Sequence, residues 1–103
     1  MTPEEKQYSN IGLSLENAVQ SQMFGKTCFK INGKAFVCFF QNEMVFKLSG
    51  DAHSEALKLS GSKLFDPSGK GRPMKEWVQV PGVHMEMWIQ LAKKAFDYVD
   101  AAK

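Results

Sequence analysis

Asn32-Gly33 lies inside an apolar stretch running from Met23 to Leu48, and it constrains the fold more than any other feature of the chain. Asn-Gly supplies the two positive φ angles of a type I′ turn, so it predicts a hairpin with a two-residue loop. That turn pairs Ile31 with Lys34, and a regular ladder then sets Phe29 opposite Phe36 and Cys28 opposite Val37. Side chains alternate along a strand, so Phe29, Ile31, Phe36, Cys38 and Phe40 are expected on one face, which is assigned to the core. Cys28, Lys30, Ala35, Val37 and Phe39 take the other. A third strand, Glu43 to Leu48, follows Gln41-Asn42. With a three-residue loop, Met44, Phe46 and Leu48 join the core face and leave Val45 and Lys47 behind.

Around this sheet the chain reads as α-β-β-β-α-β-β-α. The first helix has Thr2 as cap, Pro3 at its first position and Glu5 to complete a capping box. Tyr8, Ile11, Leu15 and Val19 follow at helical spacing; Val19 to Met23 also alternates as a short strand would, and the helix end is placed near Val19. A short second helix is expected over Asp51 to Leu59, with Asp51 as cap and Gly61 as stop. Lys63 to Phe65 and Met74 to Val80 read as strands. A last helix runs from about Val83 to Ala102, with Trp88, Leu91, Ala92, Ala95, Val99 and Ala102 on one side. The expectation is a single α+β domain over residues 1–103: two layers, an antiparallel five-stranded sheet packed by helices.

Composition narrows the function classes. At 103 residues, 44% hydrophobic and 23% charged, the chain can bury a core without staples. A net charge of +2 is too small to imply a nucleic-acid partner by itself. No apolar run approaches the roughly 18 residues a membrane span needs, and the first residues lack a signal-peptide core, so a cytoplasmic location is expected. Cys28 and Cys38, placed on opposite faces by the regular ladder, are expected to stay reduced and half-buried.

The candidate chemistry is sparse. His53 and His84 have no Cys, Asp or Glu at ligand spacing, and Met85, Glu86 and Met87 beside His84 point apart on a helix, so no metal is expected. No buried carboxylate pair and no nucleophile elbow occur, so no catalytic residue is assigned and no cofactor is expected. Gly69, Lys70, Gly71 and Arg72 form the best anion-binding candidate, because glycine amides can approach a phosphate beside two cations. A Walker loop would need a glycine where Leu64 stands, and a solvated connection capped by Asp66 is the plainer expectation. Ala35, Val37, Phe39, Val45 and Trp77 are the candidate interface: an apolar strip on the face without helices, with a homodimer as the expected assembly. Phe39 and Trp77 beside Lys30 and Lys47 offer only thin support for base stacking, and nucleic acid is left open.

Met23-Phe24-Gly25, Gly33-Lys34-x-Phe36, Phe46-Lys47, Gly61, Phe65, Gly71-x-Pro73-Met74-x-x-Trp77-x-x-x-Pro81 and the terminal helix with Trp88 together resemble the N-terminal domain of the TfoX/Sxy proteins. The resemblance extends from about Leu13 to Ala102. It implies a two-layer α+β fold and a regulatory role in natural transformation competence, exerted with the cyclic-AMP receptor protein at promoters. This chain has Lys26 where the family usually carries a second glycine, and the full-length regulators carry a further C-terminal domain. The expectation drawn is a stand-alone, non-catalytic regulatory or protein-interaction module. The alternative is a binder of a small anion or nucleic acid through the Lys70/Arg72 loop.

Overall fold

The computed structural model describes residues 2–23, 25–67, 69–71 and 73–101. Helix α1, Pro3–Ser14, begins as its sequence dictates: the Thr2 hydroxyl accepts from the Glu5 amide at 3.1 Å. It ends sooner than the apolar spacing suggests. Ser14 turns its hydroxyl back onto the Ile11 carbonyl, and Asn17 adopts a positive φ of 70°. The chain then forms strand β1, Val19–Met23, so Val19 is 64% exposed rather than part of a helical stripe. Among the described residues six antiparallel strands result where five were expected. The others are β2, Lys26–Ile31; β3, Lys34–Phe40; β4, Glu43–Lys47; β5, Lys63–Phe65; and β6, Met74–Val80. Their order across the sheet is β1-β2-β3-β4-β6-β5.

Helix α2, Gly50–Lys58, lies between β4 and β5 in the chain. Ser49 occupies its cap position, and Asp51 sits inside the first turn rather than capping it. Gly61 takes a left-handed φ of 83° just beyond the helix, where it was expected to stop it. A 3₁₀ segment, Gly82–Met87, leads into α3, Trp88–Ala101. Trp88, Leu91, Ala92, Ala95 and Val99 of α3 are buried as their spacing implies; Ala102 falls outside the described residues.

The hairpin departs from a regular ladder at one place. Asn32 and Gly33 have φ of 55° and 78°, and Ile31 and Lys30 face Lys34 and Ala35. The register then shifts, setting Phe29 opposite Val37 and Cys28 opposite Cys38. Phe36 is the extra residue of a β-bulge. The bulge lets Phe36 and Val37, adjacent in sequence, both enter the core under the helices, each with no exposed surface. Beyond it the faces are exchanged relative to the expectation. Phe39 lies on the helix side, stacked on Tyr8 at 5.1 Å, while Cys38 and Phe40 lie on the opposite side.

A second difference cancels the first. The β3–β4 loop has two residues, Gln41 and Asn42, both with positive φ, and Phe40 pairs with Glu43. Met44, Phe46 and Leu48 therefore face the helices, as the three-residue loop on an unbulged strand also required. The main core consists of these side chains with Tyr8, Ile11, Phe29, Ile31, Phe36, Val78, Val80 and the apolar side of α3.

Candidate functional site

The loop after β5 was the strongest candidate for binding an anion. Its geometry follows from Asp66 and the two glycines. Gly69 and Gly71 adopt φ of 68° and 76°, which turns their amides inward. Asp66 fills that concavity itself: its carboxylate accepts from the Gly69 amide at 3.1 Å and the Gly71 amide at 2.9 Å. Two N–H groups reserved for an incoming phosphate are thus held by the chain's own anion, and Asp66 acts as the expected loop cap. Lys70 stands exposed in this loop, and Arg72 lies outside the described residues. Beside the loop is a cleft of about 730 Å³ bordered by Phe40, Lys63, Asp66, Pro67 and Gln79.

The side of the sheet away from the helices holds a second, smaller core of Cys28, Cys38, Val45, Phe65 and Trp77, edged by Met23, Ala35, Phe40 and Met74. Phe40 of β3 meets Phe65 of β5 edge-on at 5.2 Å, although β4 and β6 lie between those strands. Strands three places apart in a flat sheet are about 14 Å apart, so the sheet curls around this cluster. Curling removes the wet apolar strip on which the interface expectation rested. Val45 and Trp77 are on this side but only 0% and 6% exposed, and Ala35 is half-buried. Val37 and Phe39 are on the other side, packed beneath the helices. A lysine at position 37 would bury an ammonium in the main core instead of probing an interface.

Cys28 and Cys38 are free and directly opposite one another, not on opposite faces. Cross-strand partners fall within the Cα span of a disulfide, so distance does not keep these thiols reduced. Burial makes them unreactive: both have no exposed surface, and desolvation pushes the Cys38 thiol up to about 12 and raises that of Cys28. Only the thiolate attacks a disulfide reagent. The native protein should therefore leave an aromatic disulfide reagent uncleaved at neutral pH and release two thiols once unfolded. Prompt reaction of the native protein would show that the second core is open. The neutral thiols also link stability to pH. Their contribution is complete below the ordinary thiol value of 9.0 and is lost as pH rises from there toward 12. Burial raises the Tyr8 phenol in the same direction. The denaturant midpoint should fall across that alkaline window.

The histidines serve the fold. His53 Nε2 donates to the Lys75 carbonyl at 2.7 Å, tying α2 to β6. His84 Nε2 donates to the Ser60 carbonyl at 2.8 Å, tying the 3₁₀ segment to the turn after α2. Among the described residues no three His, Cys, Asp or Glu side chains cluster to hold a metal, and no helix is long and apolar enough to cross a membrane.

One surface lies where the sequence allowed either a helix end or a short strand, Val19 to Met23, and the strand is what forms. Strand β1 is an edge, paired through β2 alone among the described strands, with Val19, Gln20 and Gln22 exposed. The alternation of Val19, Ser21 and Met23 against two glutamines was its only signal. No family model matches the chain, and no curated protein matches it.

Proposed function

We propose that this chain is a non-catalytic regulatory module that works through protein–protein contact as a homodimer. The regulatory role is what the resemblance to the TfoX/Sxy N-terminal domain implies; the homodimer is this proposal's own addition. The observation that supports the reading is how its chemically capable side chains are used. Asp66 holds the glycine loop, His53 and His84 each bond to a backbone carbonyl, and both thiols are sealed in the second core. A protein partner in transcriptional regulation belongs to the same proposal. Sedimentation velocity from about 5 to about 200 μM, a range suited to micromolar association, should show a dimer. Labelled duplex DNA alone should stay unbound at physiological salt, because 13 Lys and Arg are nearly balanced by 11 Asp and Glu and leave little net attraction to phosphates. A monomer across that range, or tight DNA binding by the chain alone, would overturn the reading.

A second reading, a small-anion binder, has the cleft beside the 66–73 loop in its favour. An anion held there by the Gly69 and Gly71 amides must displace the Asp66 carboxylate. Titration with inorganic phosphate should then move the Gly69 and Gly71 amide resonances together, and unmoved resonances would remove this alternative.

A further inference from the structure

We propose that two copies of the chain join through β1, edge to edge and antiparallel, about a two-fold axis at Ser21. The inference rests on the homodimer reading above and names its surface.

The two edges of the sheet are built differently. Strand β5 has three residues, a break in register between Leu64 and Phe65, an exposed Lys63 and Asp66-Pro67 directly after it. Short length, irregularity, charge and proline are the devices that keep an edge from pairing with another chain. Strand β1 has none of them. It runs five residues in unbroken register with β2 and carries neither charge nor proline.

Its sequence is also self-complementary. Val19-Gln20-Ser21-Gln22-Met23 reads apolar, Gln, Ser, Gln, apolar in either direction. A two-fold at Ser21 sets Gln20 against Gln22 of the second copy and Val19 against its Met23. Amide side chains face amide side chains on one face, and apolar groups meet on the other. Val19, 64% exposed in the single chain, gains an apolar neighbour at the rim of the second core.

The backbone fits the same axis. The closing pair of a tight hairpin is hydrogen-bonded, so with Met23 set opposite Lys26 the alternation of the ladder directs the amides and carbonyls of Gln20 and Gln22 outward. These residues would face each other across the axis and form about four inter-chain hydrogen bonds. Charge does not oppose the approach. The nearest like charges in a row are Lys30 of one copy and Lys26 of the other, three strand spacings or about 14 Å apart, beyond the screening length at physiological salt. A contact this small belongs to the weak end of the interface range, and a micromolar constant is expected.

The test compares the full wild-type chain with two double variants by sedimentation equilibrium. Gln20→Lys with Gln22→Lys sets lysine against lysine twice across the axis and should weaken dimerisation by about 100-fold. Gln20→Lys with Gln22→Glu sets lysine against glutamate twice and should restore the dimer to within about ten-fold, now with a strong salt dependence. Both pairs of side chains are exposed, and circular dichroism melts check that folding persists. As a readout free of substitution, the Gln20 and Gln22 amides of the wild type should gain exchange protection as concentration rises. A dimer whose constant neither variant changes overturns the edge pairing and leaves the homodimer reading standing. A monomeric wild type overturns both.

Discussion

Replacing Phe36 by alanine should cost about 3–5 kcal/mol and lower the melting temperature by roughly 15–30 °C. Phe36 has no exposed surface and meets Phe96 of α3 edge-on at 5.3 Å. Truncation loses the ring's transfer energy and leaves a cavity that the bulge holds open, because Phe29 and Val37 are fixed opposite one another beside it. Thermal denaturation checks the effect. A variant melting within about 5 °C of the parent would show that the ring does not join α3 to the sheet.

The second large effect carries the opposite sign from helix propensity. Alanine normally stabilises a helix interior by about 1 kcal/mol over glycine. At Gly12 of α1, however, a Cβ would lie 2.1 Å from Phe29 Cε2 and 2.2 Å from Cζ. The Phe29 ring is buried and abuts Tyr8 at 5.2 Å, so it has little room to retreat. Gly12→Val should destabilise by about 3 kcal/mol, and Gly12→Ala should also lower stability despite its better propensity. In a Phe29→Leu background the alanine should become neutral or stabilising. Urea denaturation of the four-member cycle isolates the coupling, and additive effects would contradict the contact.

These positions also show how far the sequence could be read. Patterns that act locally were legible: the Thr2 cap, the Asn32-Gly33 turn, the α3 stripe and the Lys63–Phe65 and Met74–Val80 strands all stand as their residues dictate. The β3 faces were not legible, because residues 35–40 are apolar without interruption. When both faces are buried, alternation no longer reports direction, and only tertiary packing reveals that Phe36 is an extra residue. The same ambiguity hid the second core and produced the exposed strip that the structure does not contain. Gly12 gave a faint signal, an isolated glycine within a helical pattern, whose meaning depends on a ring that approaches from β2. The Asp66 cap was readable in outline; its hold on two amides of the anion loop depended on the left-handed turns at Gly69 and Gly71.

The two cores have a consequence for time as well as for energy. Strands β3 and β4 are flanked on each side by another strand and send side chains into both clusters. The amides at their buried centres, residues 36–38 and 44–46, should exchange only when the whole domain opens. Strand β1 has one neighbour among the described strands and side chains that are largely exposed, with Met23 alone packed at the rim of the second core, so it should part at lower cost than the centre. The molecule therefore keeps two clocks, a slow one in the doubly buried centre and a fast one at this edge. A partner arriving at β1 would meet a strand able to part and re-form many times within a single lifetime of the folded centre.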